Sequence, residues 1–138
     1  MGSILARANM TAPAVGGAPP RATRVLVVED EPMIRMLLDD MLRELGCTVA
    51  AEAGRMEEAL DAVGNGDFDI AILDVNLNGE TTGPIAEALA ARGLPFVFAT
   101  GYGPHHLPEA FRDRPTLKKP FQLDGLGRLL QSTLAAKA

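Results

Sequence analysis

Four short stretches of this chain, each reading as a strand, run into polar residues capable of chemistry. Arg24-Val25-Leu26-Val27-Val28 leads into Glu29-Asp30-Glu31. Ala71-Ile72-Leu73 leads into Asp74, Phe98-Ala99 into Thr100, and Thr116-Leu117-Lys118 into Lys119-Pro120. If the four stretches lie side by side, their far ends deliver carboxylates, a hydroxyl and an ammonium to one edge of a sheet. Asp74 can serve there as a nucleophile. Clustered carboxylates repel one another unless a cation sits among them. Hard oxygen ligands with positions left open suit Mg²⁺, which keeps waters and binds through one or two carboxylates plus phosphate. Such an ion neutralises both the carboxylates and incoming phosphoryl oxygens. Lys119 adds a point charge for a phosphoryl group, and Thr100 a hydroxyl donor. The chemistry that uses all of these is phosphoryl transfer to a carboxylate. Each residue alone has an ordinary reading: Glu29 to Glu31 as charges near the positive end of a helix, Asp74 as the opening of a turn, Lys119 as a surface charge. The four together, in this order, favour the site.

The elements that must position these groups follow from periodicity. Residues 24–28 are almost wholly apolar and β-branched, as expected for a strand buried on both faces. Pro32 suits a first helical turn. Ile34, Leu37, Leu38, Met41, Leu42 and Leu45 follow at helical spacing until Gly46. Residues 47–53 read as a second strand, with the single cysteine, Cys47, as a small buried hydrophobe at its start. Met56, Ala59, Leu60 and Val63 form the stripe of a second helix, closed by Gly64-Asn65-Gly66. Residues 69–73 and 95–99 read as buried strands. Between them Thr81 or Thr82 can cap a third helix carrying Pro84, Ile85, Ala88 and Leu89. Residues 101–114 are irregular, with room for only a short helix near 107–112 whose apolar anchors are Leu107, Ala110 and Phe111. Residues 116–118 form a short fifth strand, and Leu126, Leu129, Leu130 and Leu134 mark a last helix. Strands alternating with helices imply an α/β fold with a parallel sheet covered on both faces. The flavodoxin-like doubly wound order 2-1-3-4-5 is expected. Ligands then bind beyond the carboxyl ends of the strands, where the winding reverses between strands 1 and 3.

From about Arg24 to Ala136 the chain resembles the receiver domain of two-component response regulators. The stretches that carry the resemblance are Val25-Leu26-Val27-Val28-Glu29-Asp30-Glu31-Pro32, Ala71-Ile72-Leu73-Asp74-Val75-Asn76-Leu77, Phe98-Ala99-Thr100-Gly101 and Lys119-Pro120-Phe121. The resemblance implies that Asp74 is the phospho-acceptor. It further implies that Glu29 and Asp30 form the acidic pair holding Mg²⁺ with Asp74, and that Asn76 lends its backbone carbonyl to the ion. Thr100 becomes the switch hydroxyl, Lys119 the phosphate-contacting lysine, and Lys119–Pro120 a cis peptide. Two features depart from the usual pattern. Phe98-Ala99-Thr100-Gly101-Tyr102 is similar to the "FAT GUY" subgroup, associated with alphaproteobacteria and atypical histidine kinases, but its tyrosine falls one position early and Gly103 stands in the subgroup's place. Thr116 occupies the position where many receivers carry an aromatic ring.

Bulk properties limit the alternatives. The 138 residues suit one domain, and a net charge of −5 gives no reason to expect a nucleic-acid surface. Residues 1–22, rich in Ala, Gly and Pro, read as a flexible tail ahead of a receiver domain over 23–138. They hold no long apolar run, so neither signal peptide nor membrane span is expected and the cytoplasm is the default compartment. His105-His106, adjacent and without a further ligand nearby, do not read as a metal site. The expected partners are a sensor histidine kinase or histidine phosphotransfer protein and a downstream protein target. If the sequence is complete, output is expected to pass through that target, since no effector segment follows the last helix. The chain is thus expected to be a signalling domain, not an enzyme, that assists its own phosphorylation and dephosphorylation. The rival reading is a phosphorelay carrier or phosphate sink between histidine-bearing proteins. A flavodoxin-like cofactor binder fails, because Glu29-Asp30-Glu31-Pro32 would repel a phosphate-bearing cofactor.

Overall fold

The computed structural model describes residues 23–101 and 107–137. The tail expected over 1–22, and Tyr102, His105 and His106, lie outside the described residues. Five parallel strands form one sheet: β1 (Arg24–Val28), β2 (Thr48–Ala53), β3 (Ile70–Asp74), β6 (Phe96–Thr100) and β7 (Thr116–Lys118), in the spatial order β2-β1-β3-β6-β7. This is the expected doubly wound order, with the reversal between β1 and β3. Helices α1 (Pro32–Glu44) and α4 (Leu123–Lys137) cover one face; α2 (Met56–Asn65) and α3 (Gly83–Ala91) cover the other.

The two-residue period of a strand decides which core each side chain joins. Val25, Val27, Ile70, Ile72, Val97 and Ala99 point towards Leu38 and Leu42 of α1 and Leu126 and Leu130 of α4. Their alternates Leu26, Val28, Ala71, Leu73, Phe96 and Phe98 point towards α2 and α3, where they meet Ala59, Val63, Ile85 and Leu89. A strand buried on both sides must be apolar along its buried length, and the central strands are, apart from Arg24 at the start of β1 and Asp74 and Thr100 at the ends of β3 and β6. Two residues placed in the expected stripes turn outward: Leu37 on α1 and Leu60 on α2 are exposed. A helix resting on a sheet buries a narrow stripe, and each helix already fills it with a closer-facing neighbour, Leu38 and Ala59 respectively. Among the described residues no helix is long and apolar enough to cross a membrane.

Two elements differ from expectation. Between β3 and α3 the chain forms a small antiparallel hairpin, β4 (Asn76–Leu77) and β5 (Glu80–Thr81), closed by Asn78-Gly79. Both turn residues have positive φ, 54° and 86°, the two-residue turn that Asn-Gly favours. The short helix expected near 107–112 is a single 3-10 turn, Glu109–Phe111. Pro108 and Pro115 bracket a stretch too short for an α-helix. Its anchoring also differs. Ala110 is exposed, while Leu107 and Phe111 are buried in the α2/α3 core. The Phe111 ring meets the Phe96 ring edge-on at 5.7 Å, and the Arg114 guanidinium lies 4.7 Å over Phe96.

Candidate functional site

The carboxyl ends of β1, β3 and β6, with the residue after β7, bring the expected groups to one edge of the sheet. One oxygen from each of Glu29, Asp30 and Asp74 lies within 4.8 Å of the others. The Lys119 ammonium donates a hydrogen bond to Glu29 Oε1 at 3.3 Å and stands 3.6 Å from Asp74 Oδ1. Asp74, Asn76, Thr100 and Lys119 line one cavity of about 760 Å³ together with Val75, Thr81 and Gly101. The Lys119–Pro120 bond is cis. Lys119 N–H donates to the Thr100 carbonyl at 2.9 Å, so the lysine is fixed to the end of β6 through its backbone.

Burial sets the electrostatics. Glu29 is 1% exposed. Burial first, and the Asp74 carboxylate second, push its carboxyl from 4.5 up to about 7, against the opposing pull of the Glu31 N–H and Lys119. Asp74 is likewise raised, chiefly by burial, although Lys119 works in the other direction. Burial would lower Lys119, but the attraction of Asp74 and Glu29 outweighs it, and its ammonium is held above the usual range. A single lysine therefore only partly offsets three gathered carboxylates. The donors are all hard oxygens, and a divalent cation among them would relieve the carboxylate repulsion that adds to the effect of burial on Glu29. The residues present fit such an ion.

The surrounding polar contacts fix the cluster's shape. Glu29 Oε2 accepts from the Glu31 N–H at 3.1 Å, and the Glu29 carbonyl accepts from Arg35 Nη1 at 3.1 Å. Glu31, at the start of α1, makes no side-chain capping bond. The Asn76 N–H donates to Asp74 Oδ1 at 3.4 Å, while its side-chain oxygen accepts from the Gly79 N–H at 2.9 Å and is thereby committed to the hairpin turn.

Three contributors were not anticipated. Thr82 stands at the expected cap of α3, yet its hydroxyl makes no cap bond. It points back, donating to the Asp74 carbonyl at 2.7 Å, with Val75 O at 3.2 Å. Arg35 reaches the backbone of Glu29 from α1. Asn78 donates its N–H to Asp30 Oδ2 at 3.2 Å and its side-chain amide to the Gly54 carbonyl at 2.9 Å. The Asn78-Gly79 pair was the available signal for the last; the first two have no local sequence signature.

Comparison with known proteins agrees with this geometry. The model of the response regulator receiver domain matches residues 25–131. The transcriptional regulatory protein PdtaR of Mycobacterium tuberculosis is 34% identical over 121 residues, which are 85% of this chain and 59% of PdtaR. The chain therefore spans little more than half the length of that relative. The solution structure of SdrG from Sphingomonas melonis Fr1 is 49% identical, with a TM-score of 0.74 over 83% of this chain and 97% of SdrG. The BeF3-activated conformation of SdrG, from Pseudomonas melonis Fr1, is also 49% identical, with a TM-score of 0.71 over 83% of this chain and 98% of that one. Sheet order and similarity agree: the chain belongs to the response regulator receiver domain family of two-component signalling.

Proposed function

We propose that Asp74 accepts a phosphoryl group from a phosphohistidine of a sensor histidine kinase or histidine phosphotransfer protein, and that the phosphorylated domain alters its binding to a downstream protein. The observation that carries this reading is the meeting of Glu29, Asp30 and Asp74 within 4.8 Å with Lys119 beside two of them. An Asp74 carboxylate oxygen attacks phosphorus in line; the new O–P bond forms as the N–P bond breaks, and the electron pair leaves with the imidazole. The Lys119 ammonium exchanges contact with carboxylates for contact with the phosphoryl oxygens, and the Thr100 hydroxyl donates to one of them. Asp30, Asp74 and the Asn76 carbonyl would hold Mg²⁺ directly. Glu29, whose two oxygens already accept from Lys119 and Glu31, would act through water. When bound, the ion neutralises charge that builds on the phosphoryl oxygens. That the similar protein SdrG has a BeF3-activated conformation supports the same chemistry here.

Incubation with acetyl phosphate and Mg²⁺, followed by intact mass measurement, tests the proposal. One phosphoryl group is expected, removable by hydroxylamine and absent when EDTA replaces Mg²⁺. Equal modification in EDTA would count against the metal-assisted reading.

A further inference from the structure

The hairpin β4–β5 carries a residue that joins it both to the acidic cluster and to the loop after β2. Asn78 is exposed, at the tip of the hairpin, and contributes nothing to either core. Its backbone is left-handed, with φ of 54°, a conformation that Asn and Gly reach at little cost. In that conformation its N–H meets Asp30 Oδ2 at 3.2 Å, in the loop after β1, and its side-chain amide meets the Gly54 carbonyl at 2.9 Å, just beyond β2. One residue therefore ties the hairpin to two loops that precede α1 and α2. Asp30 needs such a tie: it is only half-buried, and its carboxylate stands beside two others that repel it. The bond from Asn78 is made to one of the two Asp30 oxygens, Oδ2.

We propose that Asn78 is a positioning residue for the divalent-cation site, its side-chain amide docking the hairpin so that its main-chain N–H orients the Asp30 carboxylate. This rests on the reading of Asp30 as a metal ligand. Gly can adopt the same turn without the amide, so Asn78→Gly removes the Gly54 contact while sparing the backbone conformation. Asn76 and Asp74 are unchanged in that variant, which isolates the clip from the ligands themselves.

The test is Mg²⁺ titration by calorimetry of the full chain, wild type, Asn78→Gly and Asp30→Ala, with thermal midpoints measured in EDTA. Wild type should bind Mg²⁺ more tightly than Asp30→Ala. Asn78→Gly should bind about five-fold more weakly than wild type, the scale of one lost ordering hydrogen bond, with its midpoint in EDTA little changed. Wild-type Mg²⁺ affinity in Asn78→Gly overturns the positioning role, whatever the midpoint does, because a merely structural residue would move the midpoint and not the affinity. Equal affinity of wild type and Asp30→Ala would instead overturn the metal reading itself, and this inference with it.

Discussion

Glu29 holds a carboxylate almost out of water, with Asp74 and Asp30 at close quarters and the Lys119 ammonium beside it. Its carboxyl lies at about 7 in the folded protein against 4.5 outside it. A raised folded value means that the folded chain holds this proton more tightly than the unfolded chain does. The associated stability is complete below about pH 4.5 and is lost as pH rises towards 7. Asp74 is shifted in the same sense. Urea denaturation in EDTA should therefore show wild type losing about 2 kcal/mol relative to Glu29→Gln between about pH 5 and about pH 8. Parallel profiles for the two proteins would contradict this account of Glu29. Lys119 supplies the opposing charge. Lys119→Met leaves two carboxylates without it and should cost about 1–2 kcal/mol at neutral pH in EDTA, discounted from a fully buried pair because the lysine keeps some solvent access. Added Mg²⁺ should stabilise that variant more than wild type. Equal stabilisation of both would show that Lys119 and the ion do not answer the same charges.

Elements carry the site by a few backbone fastenings. Thr82 is fully buried, and its hydroxyl links the first turn of α3 to the carbonyl of Asp74. Thr82→Val keeps the shape but leaves that carbonyl short of a donor, so it should lower stability by about 1–2 kcal/mol in chemical denaturation. An unchanged midpoint would mean that the link is incidental. The contrast between Thr82 and its neighbours shows what is readable beforehand. Strands β1, β3 and β6 are legible because double burial demands unbroken apolar runs, and each run stops at a site residue. β1 lies over the expected residues, while β3 and β6 each sit one residue later, since Asp74 and Thr100 still pair in the ladder. Thr82 was legible as a helix start but not as a partner of Asp74, because that contact depends on how the hairpin folds back. Asn78-Gly79 carried the hairpin signal in plain residues, yet strands of two residues leave no periodicity to detect. Leu37 and Leu60 look like core residues by spacing; only the width of the actual helix–sheet contact puts them outside. Phe111 is the reverse case, an apolar residue in an irregular stretch whose burial is set by Phe96 and Phe98 across the sheet face.

At the scale of the whole molecule, the site and the stretch before β7 are joined through one edge of the sheet. Thr100 pairs with Lys118 in register, and the Lys119 N–H bonds to the Thr100 carbonyl. With Thr116 where many receivers place an aromatic ring, a shift of Thr100 is expected to pass outward along this backbone. Residues 107–115 hold only a 3-10 turn and two buried apolar anchors, Leu107 and Phe111. A segment with so few fastenings is easier to bias than a packed helix. Hydrogen exchange with Mg²⁺ and beryllofluoride should change protection across 107–115 more than in α1 or α4; changes confined to those helices would refute the route. The whole account depends on one atom-level assignment, that the new bond forms at Asp74. The direct measurement is to phosphorylate the chain with acetyl phosphate and Mg²⁺, reduce the acyl phosphate with borohydride, and locate the reduced residue by peptide mass spectrometry. Reduction confined to position 74, and abolished in Asp74→Asn, is the predicted result; reduction at Asp30 or Glu29 in the wild type, or labelling that survives in Asp74→Asn, would contradict it.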